Sequence, residues 1–171
     1  RLHGELMRAV FQLRLSASAV RSGEHLDATT GHADAGWGMG ARPDLRRMNV
    51  PLGVVGVFSA SNFPFAFSVM GGDSASALAA GCSVVYKAHE GHPGLSLRTA
   101  ETVQRGLREA GAPEGLFTLI TGRAAAEALV DHPLVKAIGF TGSTAGGRAL
   151  AEWAFARAEP IPFYGELGGI N

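Results

Sequence analysis

From residue 54 onward, short apolar runs alternate with longer stretches of helical period. Val54–Phe58 is rich in β-branched and aromatic side chains and nearly free of polar alternation, the pattern of a strand covered on both faces. Pro64 suits the first turn of a helix, so Phe65–Ala80 reads as a small-residue helix stopped by Gly81. Ser83–Lys87 is a second buried strand. Leu97, Ala100, Val103, Leu107 and Ala110 share one helical face, and Gly111 and Pro113 end that helix. A strand at Leu116–Ile120, a short helix at Ala124–Val130 and a strand at Val135–Phe140 follow. Thr144–Ala158 is the last helix, with Leu150, Trp153 and Ala154 on one side, and Ile161–Tyr164 is the fifth strand. Strands alternating with helices imply right-handed crossovers, hence an α/β fold: a Rossmann-like parallel sheet with flanking helices.

The first fifty residues follow a different pattern. Leu2, Leu6, Ala9, Val10, Leu13, Ala17 and Val20 recur at three- and four-residue spacing, which predicts an amphipathic helix over Leu2–Val20 closed near Gly23. Ala28–Pro43 has no period and is rich in Gly, Thr and Asp, as in a loop or loose hairpin. Its Gly36-Trp-Gly-Met-Gly40 imitates a dinucleotide fingerprint, but no strand precedes it and Pro43 follows, so a surface turn is the better reading. The expected division is an N-terminal helix and loop segment over residues 1–50 and a Rossmann-like domain over 51–171.

Composition narrows the class. With 171 residues, 46% of them hydrophobic and 18% charged, the chain can bury a real core. Fifteen basic and fifteen acidic residues balance to zero, so no basic field points to nucleic acid or anionic lipid. One cysteine, Cys82, excludes an internal disulfide framework and fits a reducing compartment, with the cytoplasm the expected location. No run approaches the ~18 apolar residues of a membrane span.

Four stretches carry candidate chemistry. The loop after Val54–Phe58 presents Ser59, Ser61 and the amide of Asn62, where a parallel sheet opens toward ligands. Phe140-Thr-Gly-Ser-Thr-Ala-Gly-Gly147 joins a strand to a helix, and its glycines and helix amides suit a phosphate; Ser143 or Thr144 acting only as a cap is the competing reading. Gly142 and Gly147 have Walker-loop spacing, yet Arg148 and Ala149 replace the lysine and hydroxyl an NTPase needs. Lys87-Ala-His-Glu90 leaves the second strand with a cation and a carboxylate that could bond ribose hydroxyls or form a solvated pair. His89 and His92 are three apart and followed by Pro93, which does not match the helical zinc arrangement, so no metal is expected. Glu166-Leu-Gly-Gly169 places a glutamate at a strand end, either a general base or a surface residue in a turn. Cys82 enters an apolar strand and reads as a buried hydrophobe.

Taken together and in this order, the four stretches resemble the nucleotide-binding half of the aldehyde dehydrogenase superfamily. The resemblance runs from about Pro51 to Asn171 and more loosely back to Arg1. It implies that Asn62, within Asn62-Phe-Pro64, forms an oxyanion hole with a backbone N–H. It implies ribose contacts for Lys87 and Glu90, and pyrophosphate binding by Phe140-Thr-Gly-Ser143 with Gly147, so that Gly142, Ser143 and Gly147 face the cofactor. Glu166 falls on the general base, and Ser61 and Leu167, beside the two catalytic positions, fall on the cofactor. The implied cofactor is NAD or NADP.

Gly56-Val-Phe-Ser-Ala-Ser-Asn-Phe-Pro64, Gly71-Gly-Asp-Ser-Ala-Ser-Ala-Leu-Ala-Ala-Gly-Cys82 and Glu159-Pro-Ile-Pro-Phe-Tyr-Gly-Glu166 look most like the bacterial 2,5-dioxovalerate (α-ketoglutaric semialdehyde) dehydrogenases. A similar branch oxidises long-chain fatty aldehydes with NADP. Ser61 stands where the wider family usually has tryptophan, which fits this branch. Glu90 puts a carboxylate where NADP-preferring relatives often have a neutral residue, which tilts the expectation toward NAD. The family mechanism is thiolate attack on the aldehyde, hydride transfer and thioester hydrolysis. The family's nucleophilic cysteine follows the general base in a second domain, and Cys82 is not at its position. The chain begins without Met and stops within the last motif. A piece of a longer enzyme is therefore expected, one that acts on a small aldehyde as a homo-oligomer and is inactive without its other half. The alternative is a stand-alone, non-catalytic nucleotide-binding module.

Overall fold

The computed structural model describes residues 1–168. Helix α1 (Leu2–Ser22) ends where Gly23 turns left-handed, at φ +74°, and returns its N–H to the carbonyl of Val20. A 3-10 turn (Glu24–Leu26) leads to an antiparallel pair, β1 (Thr29–Gly31) and β2 (Leu45–Arg47). The Asp34–Arg42 bridge extends this pair, so the region forms a hairpin with Gly36–Gly40 at its tip. None of those glycines lines the main cleft described below.

Then come β3 (Val54–Phe58), α2 (Gly72–Ala79), β4 (Ser83–Lys87), α3 (Pro93–Glu109) and β5 (Phe117–Ile120). The described elements finish with α4 (Arg123–Asp131), β6 (Val135–Gly142), α5 (Thr144–Ala156) and β7 (Phe163–Leu167). The five long strands form one parallel sheet in the order β5-β4-β3-β6-β7. The chain builds outward from β3 on one side, then crosses back to begin β6 on the other. The carboxyl ends of β3 and β6 are thus the topological switch point at which such sheets bind ligands.

Both faces of the sheet are covered. Val55, Val57, Val84, Tyr86 and Ala137 are buried with Val69, Cys82 and Ala100 on one face. Phe58, Leu129, Val130, Val135, Ile138, Ala154 and Ile161 fill the other. Each fully buried Val or Ile contributes about 1.5–3 kcal/mol, which is why the β-branched runs read correctly as strands.

Four expectations need correction. Phe65–Gly71 is a series of turns, and α2 starts only at Gly72. Pro64 has no N–H, and Phe67 N–H to Phe63 O, Ser68 N–H to Phe65 O and Gly71 N–H to Ser68 O close separate turns. The last strand runs Phe163–Leu167, so Glu166 lies inside it, not after it. Pro162 gives only its carbonyl, to Ile138 N–H, and regular pairing begins beyond it. On α1 the apolar stripe is exposed at Leu2, Leu6, Leu13 and Val20, while Glu5 and Ala9 are its buried residues, because the helix meets the body chiefly through α2. On α3, Leu97 is likewise exposed and Ser96 and Ala100 are buried. Among the described residues no helix is long and apolar enough to cross a membrane.

Candidate active site

An open cleft of about 610 Å³ lies over the switch point. Its walls are the loop Ser59–Phe63 after β3, the end of β6 with the start of α5, and Glu166–Gly168 at the end of β7. Ser61, Asn62, Gly142, Ser143, Glu166 and Leu167 all line it. Lys87 and Glu90 stand one strand away at the end of β4, outside that lining, with Lys87 Nζ 3.6 Å from Glu90 Oε1.

Gly147 does not face the cleft. It is a buried residue of α5's first turn, where a Cβ would come within 2.0 Å of Leu167 Cδ2 and 3.0 Å of the Phe140 ring. Glycine there lets the helix lie against β6 and β7. Gly169, the last residue of the Glu166–Gly169 motif, lies outside the described residues.

The strand register puts a polar row at the carboxyl edge. Thr141 pairs with Glu166 across β6 and β7, so their side chains share a face. From the first turn of α2, Asp73 reaches the same place and accepts a hydrogen bond from Thr141 Oγ1 at 3.3 Å. Asp73 packs over Gly139, where an added Cβ would meet Asp73 Cβ at 3.6 Å, an ordinary contact. On the β4 side, the buried Tyr86 hydroxyl bonds Ser59 Oγ, and Ser68 Oγ at 3.1 Å. Ser59 therefore holds the start of the Asn62 loop to β4. Burial pushes the Tyr86 phenol up, which keeps it protonated and able to donate; the Asp73 charge adds to this, against the two serine bonds.

Asp73 is not a candidate from the sequence, where it falls in the middle of the expected helix Phe65–Ala80; the later start of α2 puts it in the first turn. Burial raises its carboxyl above the usual range, the Thr141 bond partly offsets this, and the charge on Glu166 raises it further. The folded protein thus binds this proton more tightly than the unfolded chain does. Stability is unaffected by this group below the unfolded value of about 4 and falls as pH rises from there toward the folded value. Relative to wild type, Asp73→Asn is expected to gain stability as pH rises above the unfolded value of about 4, levelling off once the folded carboxyl has ionised. Denaturant melts of both proteins at several pH values check this; a stability difference independent of pH would refute it.

His89 also lines the cleft; in the sequence it stands only within the Lys87–Glu90 stretch and as a histidine whose spacing to His92 does not suit zinc. Its Nδ1 accepts from Gly91 N–H at 2.9 Å, which leaves the proton on Nε2. Burial, then the neighbouring His92 and Lys87, lower its pKa against the pull of Glu90, so it stays neutral. The aromatic rings of Phe63 and Phe67 close the same wall. Among the described residues no three His, Cys, Asp or Glu side chains converge as metal ligands.

The cleft fits an elongated, anionic cofactor. Gly142, Gly146 and Gly168 leave its floor without side chains. Ser143 caps α5 by accepting from Gly146 N–H at 3.2 Å, and the N–H groups of Thr144 and Ala145 have no partner within the helix. A neutral amide (Asn62) and a carboxylate (Glu166) both line the cleft, with no side-chain hydrogen bond between them among the described residues. Cys82 is buried just before β4, at the opposite end of the sheet.

Comparison with known proteins gives this arrangement a relative. A profile of the "Aldehyde dehydrogenase family" matches residues 2–171. The whole chain is 51% identical to 33% of an α-ketoglutaric semialdehyde dehydrogenase of Azospirillum brasilense. It is 45% identical to 32% of another from Acinetobacter baylyi. Among solved structures, a glyceraldehyde-3-phosphate dehydrogenase of Methanocaldococcus jannaschii, complexed with NADP, superposes with TM-score 0.76 at 25% identity, over 98% of this chain and 34% of that one. The chain spans about a third of the length of the curated relatives it matches. On the profile match and the two semialdehyde dehydrogenase relatives, this chain belongs to the aldehyde dehydrogenase family.

Proposed function

We propose that the full-length protein oxidises an aldehyde to its carboxylic acid with NAD or NADP, and that the aldehyde is 2,5-dioxovalerate, giving 2-oxoglutarate. The observation that carries the chemistry is that Asn62 and Glu166, 104 positions apart in the chain, line one cleft at the sheet's switch point. The two relatives' shared substrate name supports the choice of aldehyde.

The chain's own residues divide the work. The Asn62 amide donates to the oxygen that gains charge as a nucleophile adds to the aldehyde carbon, where a preorganised donor is worth most. Glu166 takes the proton from the water that later releases the acyl group. Gly142, Ser143 and the first turn of α5 hold the pyrophosphate, Lys87 and Glu90 the adenosine ribose, and Ser61 and Leu167 flank the nicotinamide end. Gly147 supports this wall from behind. The bound dinucleotide supplies the hydride acceptor. The only cysteine of the chain, Cys82, is too remote to be the nucleophile, which the rest of the protein supplies.

Glu90 favours NAD, because a carboxylate beside the ribose repels a 2′-phosphate. Steady-state assays of the full-length protein with 2,5-dioxovalerate and with a long-chain aldehyde, each with NAD and NADP, test the proposal. Oxidation of 2,5-dioxovalerate with NAD preferred is the expected result. Glu90→Gln should raise kcat/KM with NADP by about tenfold, on the order of 1.4 kcal/mol. Preference for the long-chain aldehyde with NADP would move the protein to the fatty-aldehyde branch. No oxidation of either aldehyde, with dinucleotide binding retained, would favour a non-catalytic module.

A further inference from the structure

Glu5 is the only buried carboxylate among the described residues, 7% exposed, on a helix whose apolar stripe is largely exposed. Its Oε2 accepts from Phe65 N–H at 3.3 Å, and its Oε1 lies 3.5 Å from Arg1 Nε. Arg1 Nη2 donates to the carbonyl of Asn62 at 2.6 Å, and its guanidinium lies 5.1 Å from the centre of the Phe63 ring. Arg8, one turn further along α1, covers the Phe67 ring at 4.8 Å. Phe63 and Phe67 pack edge to face at 5.5 Å. Apart from the Arg1–Glu5 pair, these contacts fall on the segment Asn62–Phe67, whose own backbone hydrogen bonding is the single Phe67 N–H to Phe63 O turn.

Residues 1, 5 and 8 share one side of a helix. Arg1 and Arg8 lie over the rings of Phe63 and Phe67, which line the cleft together with Asn62. Burying a carboxylate is unfavourable unless it is hydrogen-bonded and paired. The turn supplies the hydrogen bond to Oε2, while Oε1 makes no hydrogen bond and has only the ion pair with the arginine bound to the carbonyl of Asn62.

We propose that Glu5 is a positioning residue for Asn62: with Arg1 and Arg8 it clamps the Asn62–Phe67 turn to α1 and so sets where the Asn62 amide stands in the cleft. This rests on the reading of Asn62 as the oxyanion donor. It assigns the N-terminal helix a part in catalysis without contact to substrate.

The test uses the full-length protein with Glu5→Ala, Glu5→Gln, Asn62→Ala and the Glu5→Ala/Asn62→Ala pair. Glu5→Ala should slow the pre-steady-state burst by about tenfold or more, since small misplacements of a catalytic group are costly, with dinucleotide affinity unchanged by fluorescence titration. Glu5→Gln keeps an acceptor for Phe65 N–H and should recover part of the rate. In the Asn62→Ala background, Glu5→Ala should cost less than about twofold, because the group it positions is gone. Hydrogen exchange of the 62–67 peptide should quicken in Glu5→Ala while the peptides of β3 and β6 stay protected.

An unchanged burst in Glu5→Ala, an equal loss with and without Asn62, or a general rise in exchange together with lost dinucleotide affinity would overturn the proposal. If Asn62→Ala alone leaves the burst intact, the reading of Asn62 falls. In that case hydrogen exchange still decides whether Glu5 holds the turn.

Discussion

Replacing Asn62 by alanine in the full-length protein is expected to slow acyl formation by about 10²–10³-fold, the cost of one oxyanion donor, with KM little changed. The expectation follows from three observations. Asn62 is exposed on the cleft wall, its side chain makes no hydrogen bond among the described residues, and only its backbone carbonyl is engaged, by Arg1. The amide is therefore free for substrate. Its removal leaves no buried group unpaired, so stability should stay within about 0.5 kcal/mol of wild type.

Glu166→Gln should separate from it kinetically. The burst of NAD(P)H should persist while steady turnover collapses, because the amide cannot take the proton of the hydrolytic water. Rapid-mixing absorbance of both variants, with urea melts alongside, reads the two effects. An Asn62→Ala protein with a wild-type burst, or with burst and stability lost together, would remove Asn62 from the reaction.

Gly71→Ala is expected to have the largest effect on folding. Gly71 precedes α2 in extended backbone, at φ −79° and ψ −166°, a conformation any residue accepts, so the requirement is for space alone. A Cβ there would stand 2.5 Å from the carbonyl oxygen of Ala66 and 3.0 Å from Phe67 Cα. These are backbone atoms of the turn that carries the buried Ala66, Ser68 and Val69, and they cannot rotate away as a side-chain tip can. Forcing extra volume into such a site costs about 1–3 kcal/mol, at times more, and here the strain falls on the segment just after Asn62. Loss of about 3 kcal/mol is expected, with slowed acyl formation. Gly106→Ala is the control of opposite sign. Gly106 is exposed within α3 with no atom within 4 Å of an added Cβ, so alanine should stabilise by about 0.5–1 kcal/mol. Equal stabilities for the two variants in denaturant melts would refute the argument.

The strand cores were legible for a simple reason. Val54–Phe58, Ser83–Lys87 and Val135–Phe140 are buried on both faces, and continuous apolar runs have few other places to go. The misread elements are those whose neighbours matter more than their own pattern. Phe65–Ala80 has the small residues of a helix, yet turns and the crowded Gly71 delay the helix to Gly72. The stripe on α1 has the right period but is largely exposed, and the residue that reaches inward beside Ala9 is Glu5. The position of Asp73, between Thr141 and Glu166, was invisible because it depends on a helix lying over two strands that are distant in sequence.

By itself the sequence determined the alternation of strands and helices, the four polar stretches at strand ends and their likeness to one enzyme family. Those features are local: a short run of side chains carries each of them. Only the tertiary structure decided that Ser61, Asn62, Gly142, Ser143, Glu166 and Leu167 share one cleft, that Gly147 packs behind it, and that Lys87 and Glu90 stand one strand away. It also decided that the first turns of α1 grip the Asn62 loop. These relations depend on strand order and register, which join residues as far apart as Val55 and Ala137, and no spacing along the chain encodes such pairings.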